Sequence, residues 1–245
     1  MDRETILSAY QTFAYDVREK AQKLSSAQSA TDTILALVIA PIDHMEHCLT
    51  EVVRLSFESR NPTGGVNSAL QALSYCLTRH AFELLANVCY VLNADTNDRA
   101  NREREWIESR NNFFRSEGFS GDHILRVGPK VKLHNAQSQR ISLSLRGEDA
   151  DFVSLHSVRH YEPFEKSFYD RSLYIPMQDR EAFIARYKLA TFISHAFYQA
   201  LWPQAPLECP IVDAVTCAGI LLSVTGSEVG IKVDSRHFVR EATGI

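Results

Sequence analysis

Apolar residues recur every three or four positions through most of the first hundred residues, which is the pattern of helices packed side by side. The pattern covers residues 4–24, 32–59 and 66–93, and each stretch is too long for a β-strand. Its members are Leu7, Tyr10, Phe13, Ala14, Val17, Ala21 and Leu24; then Ile34, Val38, Ile42, Met45, Leu49 and Val52; then Val66, Leu70, Leu73, Leu77, Leu84 and Val91. We therefore predict three long amphipathic helices.

Proline and glycine indicate where these helices begin and end. Pro41 lies inside the second stretch, where its missing N–H group and its ring should produce a kink or a second helix start. The sequence RNPTGG, residues 60–65, is the strongest break in the chain. Since the connections between the three helices are short, we expect them to be antiparallel neighbours.

The remaining chain is also mainly helical in pattern. A charged helix is expected at 98–116, and further helices at 178–201 and 210–225. Residues 117–150 contain turn signals and short alternating segments, which predict an irregular or hairpin insertion. The tail, residues 227–245, is expected to be a docked strand or a loosely held end.

Glycine and proline are scarce, with 10 and 8 residues in 245, which favours long helices over a loop-rich sandwich. The predicted fold class is therefore all-α, a multi-helix bundle of about six or seven helices. We expect a single helical domain, residues 1–245, with a subdivision into a 1–116 antiparallel bundle and a 151–245 helical C-terminal half.

Localisation and cofactor class are constrained by what the sequence lacks. It shows no signal-peptide pattern at its start and no apolar run near the roughly 20 residues that span a bilayer, so we expect a cytoplasmic protein without a membrane partner. The five cysteines have no CxxC spacing, which favours reduced thiols over disulfides or a zinc knuckle. The phosphate-binding glycine motifs, GxSxG and HExxH are absent, which argues against the enzyme classes that use them.

Two blocks of the sequence resemble a group of uncharacterised short all-helical bacterial proteins. The first is TRHAFELLANVCYVLNADTNDRANREREW, an Arg-aromatic-Glu helix followed by an acidic turn and a helix with tryptophan. The second runs from Tyr187 through FISHAF, a Tyr to Ser-His helix. The function of that group is unknown, so the resemblance implies a helical cytoplasmic protein and no activity.

Histidine and glutamate form a similar row on two neighbouring helices. His44, His47 and Glu51 lie at i, i+3 and i+7, and His80 and Glu83 begin a row of the same spacing on the next helix. Facing helices of a bundle can build a metal site from such side chains. Imidazole and carboxylate ligands suit a divalent ion, which would be zinc, iron or manganese.

The same residues also fit a structural interpretation. Arg79 and Glu83 are an i, i+4 pair, as are His47 and Glu51, and such pairs are common on exposed helix faces. Asn87, like His80, falls on the apolar stripe, where a polar residue can hydrogen-bond across helices and fix their register.

A second metal candidate comes from the C-terminal half. His156 and His160 are one helical turn apart and could chelate an ion, with His195 as the evident third ligand. A partly exposed helix face with two histidines is the alternative interpretation.

The middle of the chain is basic. Residues 98–146 hold ten Lys and Arg against six Asp and Glu, and aromatic residues are interspersed among them. Cations with neighbouring aromatic rings can bind phosphates and stack bases, so Arg126, Lys130 and Lys132 are nucleic-acid candidates. A charged helix whose opposite charges pair along its own surface is the alternative.

Three functions follow from these patterns. The first expectation is a regulatory or protein-interaction protein that acts as a homo-oligomer. We infer a homodimer from its many apolar helices and its lack of catalytic motifs. The second is a metal-dependent helical-bundle enzyme or binder. The third is a nucleic-acid-acting toxin or defence component.

Overall fold

The computed structural model describes residues 2–27, 34–59, 68–116, 164, 166–194 and 209–244. Within these residues the chain forms α-helices and one π-helical turn and no strand, which confirms the all-α prediction. The helices are α1 (Arg3–Ala27), α2 (Ala40–Glu58), α3 (Ser68–Leu92), α4 (Thr96–Ser116), α5 (Phe168–Ser172), α6 (Arg180–Ser194), α7 (Cys209–Glu228) and α8 (Ser235–Thr243). The insertion expected near residues 117–150 lies outside the described part of the chain.

The apolar stripes predicted for α1 and α2 form the core in that part of the protein. Tyr10, Ala14 and Val17 of α1 are fully buried, as are Met45 and Leu49 of α2. The Tyr10 hydroxyl donates to the carbonyl oxygen of Ile42 at 2.7 Å, so a buried polar group also joins the two helices.

Pro41 marks a second helix start, one of the two outcomes expected from its sequence position. A π-helical turn, Leu35–Ile39, precedes it, and α2 begins at Ala40 with Pro41 in its first turn. Ile39 is itself helical, so the π-helical turn runs directly into α2, and the proline lies where the hydrogen-bonding register changes.

The buried face of α3 differs from the stripe that we predicted. Leu73 is 52% exposed and His80 is also exposed, whereas Tyr75, Phe82 and Leu85 are buried. Helix α3 packs against α2, α4, α5, α6 and α7 and is therefore surrounded on most sides. A heptad stripe identifies one line of contact, and it cannot identify the core face of a helix with five neighbours.

Helix α7 is the central helix of the fold. Fourteen of its residues are buried, and it packs against α1, α2, α3 and α8. It is also the one helix among the described residues that is long and apolar enough to cross a membrane by length and composition. Its 18-residue apolar window is 78% buried within the protein, as expected for a core helix.

The C-terminal tail contains a helix, so the strand considered for it is not observed. Asp234 caps α8 by accepting from the N–H groups of Arg236 and His237, and Gly244 ends it with a left-handed φ of 72°. Phe238 is fully buried and contacts the rings of Tyr10 and Phe13 edge-on, which docks α8 against α1.

Candidate metal centre

Helices α2 and α3 bring three potential metal ligands together. His44 and Cys48 are one turn apart on α2 and therefore share a face, and His80 faces them from α3. The Nε2 atoms of His44 and His80 are 2.6 Å apart, and ligating atoms of all three residues lie within 4.8 Å of one another. This His44–Cys48–His80 group could hold a metal ion.

The spacing is close to that of a tetrahedral zinc site. With Zn–N of about 2.0–2.1 Å and Zn–S of about 2.3 Å, tetrahedral angles separate two nitrogens by about 3.3 Å and a nitrogen from sulfur by about 3.6 Å. The two imidazoles would need to part by several tenths of an ångström and the thiol to approach. Rotation of the imidazoles can supply the first movement, because both histidines are exposed. Rotation about the Cα–Cβ bond of Cys48 would have to supply the second.

The imidazoles are prepared for metal binding by their surroundings. Burial and the charges of His80 and His47 lower the pKa of His44. Burial also lowers the pKa of His80, a shift that Glu83 opposes and Arg79 reinforces. Both rings are therefore neutral at pH 7, which is the state that binds a metal.

Cys48 supplies the buried end of the group. Its side chain is 5% exposed, and burial raises its thiol pKa to about 11. A metal ion would have to displace the thiol proton on binding, because the thiolate is the ligating form. The neutral imidazoles and the protonated thiol leave the metal-free group uncharged at pH 7.

Two of the predicted α2 ligands lie outside this group. His47 is exposed one residue before Cys48, close enough for its charge to influence His44. Glu51 accepts hydrogen bonds from Arg54, three residues further along α2, rather than pairing with His47. Of the α2 row, His44 alone contributes to the group.

Glu83, the predicted carboxylate ligand on α3, has structural partners. Arg79 donates to it through Nε at 3.0 Å, which confirms the predicted i, i+4 pair, and the Tyr187 hydroxyl donates to the same oxygen at 3.1 Å. This cluster ties α3 to α6. The side-chain oxygen of Asn87 is buried and has no hydrogen bond to any described residue.

The other predicted sites fall on parts of the chain that the structure does not describe. His156, His160 and His195 of the second metal candidate lie outside the described residues. The same is true of Arg126, Lys130 and Lys132, the nucleic-acid candidates.

The ligand missed by the sequence analysis was Cys48. All five cysteines are free, and Cys48, Cys89 and Cys217 are buried, as expected of reduced core thiols. The signal that could have identified Cys48 is its i, i+4 spacing from His44, which places both side chains on one helix face. An apolar context alone had favoured a packing role for it.

No protein-family model, curated protein or solved structure matches this chain.

Proposed function

We propose that this protein binds a zinc ion through His44, Cys48 and His80 and that its function depends on that ion. The observation that carries the proposal is the approach of two imidazole nitrogens to 2.6 Å beside a buried thiol. Neutral imidazole and cysteine thiolate are both common zinc ligands, and here they come from two neighbouring helices.

The number of ligands indicates the kind of site. Structural zinc ions usually have four protein ligands, whereas catalytic zinc ions have three and keep a fourth position for water or substrate. Three residues form the group within the described part of the chain, and its two imidazoles reach the surface. We therefore infer an ion with one exchangeable, solvent-facing position, at which a bound water would become more acidic.

The thiol favours zinc among the three ions expected from the sequence. Thiolate is a soft ligand that favours zinc, whereas manganese prefers carboxylate, carbonyl and water oxygens. Glu51 and Glu83, which would have supplied oxygen ligands, are held by Arg54 and by Arg79 with Tyr187. Zinc is accordingly the expected ion, with iron second and manganese last.

Elemental analysis of protein purified without a histidine tag tests the proposal directly. We expect close to one zinc per chain after equilibration with zinc and gel filtration. Zinc at about 100 times its dissociation constant should stabilise the fold by about 2.7 kcal/mol, because it binds the native state. Substoichiometric zinc together with an unchanged melting temperature would refute the proposal.

Cobalt substitution tests the ligands individually. Co²⁺ in a tetrahedral site with one thiolate should give visible ligand-field bands and a near-ultraviolet sulfur-to-cobalt charge-transfer band. We expect Cys48→Ser to lose the charge-transfer band and His80→Asn to weaken binding strongly. His47→Asn is the matched control, since His47 is exposed on the same helix and lies outside the group.

The regulatory, partner-binding function expected from the sequence is compatible with a zinc site. Among the described residues, however, no single observation favours it over metal binding. The nucleic-acid alternative depends on residues outside the described ranges.

A further inference from the structure

A cavity of about 200 Å³ lies beside helices α3, α6 and α7, away from the His44–Cys48–His80 group. Its lining is mainly apolar and includes the rings of Phe82 and Phe183 and the thioether of Met177. The two rings meet edge to face, with centroids 4.7 Å apart. Phe82 is two residues from His80, which turns it to the opposite side of α3. The cavity and the metal group are therefore separate.

An ion pair between Arg186 and the buried Asp213 stands at the wall of this cavity. The Asp213 side chain is 9% exposed, and Arg186 donates to its two oxygens through Nε, at 2.9 and 3.2 Å. A carboxylate has about four lone-pair positions, and this single N–H group occupies few of them. The Arg186 side chain is 34% exposed, and a partly exposed ion pair contributes little net stability. Its presence at a cavity is better explained by recognition than by folding.

Several hydrogen-bond acceptors around the cavity keep unused lone pairs. The Thr216 hydroxyl donates to the Val212 carbonyl oxygen at 2.7 Å, so its own oxygen is left as an acceptor. Asp179, also at the wall, accepts from the Ala182 N–H through one oxygen and retains a second. Two carboxylates against one guanidinium give the wall a net charge of about −1, by counting ionised groups at pH 7.

We propose that this cavity binds a small organic cation, a primary ammonium on a compact apolar body such as a single ring. The ammonium would donate to Asp213 and Thr216 in charge-assisted hydrogen bonds, and the apolar body would pack on Phe82, Phe183 and Met177. Aromatic faces near the charge add cation–π attraction. A carboxylate ligand would face a wall whose two carboxylates outweigh the single guanidinium of Arg186, and a neutral apolar ligand would leave the acceptors unused.

Three probes of equal size test the charge requirement: 2-phenylethylamine, 2-phenylethanol and phenylacetate, titrated into the full chain by calorimetry at pH 7. We expect the amine to bind at least tenfold more tightly than the alcohol, and phenylacetate to bind least. Equal affinity for amine and alcohol, preference for phenylacetate, or absence of binding by all three at millimolar concentration would each overturn the proposal.

Two helix α6 variants test the location without leaving a buried charge unpaired. Ala182 is an exposed residue at the cavity wall, so Ala182→Leu should block the cavity and abolish amine binding. Ala185→Leu is the matched control on the same helix; Ala185 is exposed and does not line the cavity, so binding should persist. Amine binding that survives Ala182→Leu would place the ligand elsewhere and refute the proposal. Asp213→Asn, if it folds, should weaken amine binding at least tenfold.

Discussion

His44 and His80 place their Nε2 atoms 2.6 Å apart, so one ring must donate to the other in the metal-free protein. A donor and an acceptor are both needed, and two fully protonated imidazolium rings would present two donors and repel each other. The pair therefore couples two helices, α2 and α3, to the protonation state of their histidines.

The first prediction concerns the stability of the metal-free protein in mild acid. The pKa of both histidines is lower in the folded protein than the usual value of about 6.5, so the unfolded chain binds more protons below that pH. The contribution of the pair is fully present above about pH 6.5 and decreases as the pH falls from there through the lowered folded pKa values. Urea unfolding at pH 7.5, 6.5 and 5.5 in the presence of a chelator measures it.

His44→Asn separates this pair from other titrating groups. In that variant the loss of stability between pH 7.5 and 5.5 should be smaller than in the natural sequence. Identical losses in the two proteins would contradict the prediction.

The second prediction concerns the pH dependence of zinc affinity. The Cys48 thiol has a pKa of about 11, whereas both imidazoles are already neutral at pH 7, so binding should release at least one proton per ion, that of the thiol. Ionisation of the zinc-bound water adds to this count as the pH rises. Between about pH 7 and 9 the apparent association constant should therefore rise at least about tenfold per pH unit. Calorimetry in buffers of different ionisation enthalpy counts the released protons directly.

Cys76→Ser provides the control for that experiment, because Cys76 is a half-buried thiol outside the group. It should leave the number of protons released per ion unchanged. A count of zero in the natural sequence would show that Cys48 is not a ligand.

The sequence predicted most helices because their apolar periodicity reflects real burial. Residues 4–24 correspond to α1, and the Met45 and Leu49 stripe of α2 is fully buried. The sequence pattern did not predict α8, because its apolar pattern is short. This helix is held instead by the Asp234 cap and by a single buried ring, Phe238. A nine-residue helix is stabilised chiefly by tertiary packing, which periodicity over so few residues does not reveal.

The candidate site was predicted in part, for a similar reason. Residue spacing assigns His44 and His80 each to one face of its helix. Because α2 and α3 were expected to be neighbours, the two histidines were predicted to lie close together. Spacing does not determine the rotation of each helix about its own axis relative to its neighbour. In the structure that rotation places Cys48 in the group and turns Glu83 towards Tyr187 instead. The buried face of α3 depends on five neighbouring helices, which one sequence stripe could not specify.

The third prediction concerns the contact between α7 and α8. A Cβ added at Gly219 would lie 2.8 Å from Phe238 Cδ1 and 3.1 Å from the Ser235 carbonyl oxygen. Gly219→Ala should therefore push α8 outward and destabilise the protein. Overpacking of about 1–3 kcal/mol exceeds the gain of about 1 kcal/mol in helix propensity. Chemical denaturation measures the net effect, expected near 1 kcal/mol.

Ser227→Ala is the matched control for this change. Ser227 is exposed near the end of the same helix, so its substitution should alter the free energy of unfolding by less than about 0.5 kcal/mol. A Gly219→Ala protein that is as stable as the natural one, or more so, would show that α8 moves without cost.

The fourth prediction concerns Arg102, which lies between two aromatic rings. Its guanidinium carbon is 3.9 Å from the Tyr90 ring centroid and 4.4 Å from that of Tyr174, and it donates to the Tyr90 carbonyl oxygen at 2.7 Å. A planar guanidinium can stack and donate at once, whereas an ammonium cannot. Arg102→Lys should therefore destabilise the protein by about 1.5–3 kcal/mol, the usual contribution of hydrogen bonds to a charged group. Arg54→Lys, at a residue that pairs with carboxylates of its own helix, should cost less than about 1 kcal/mol in the same urea titration. Equal losses in the two variants would show that the stacking of Arg102 between Tyr90 and Tyr174 adds no more stability than the exposed ion pairs of Arg54 do.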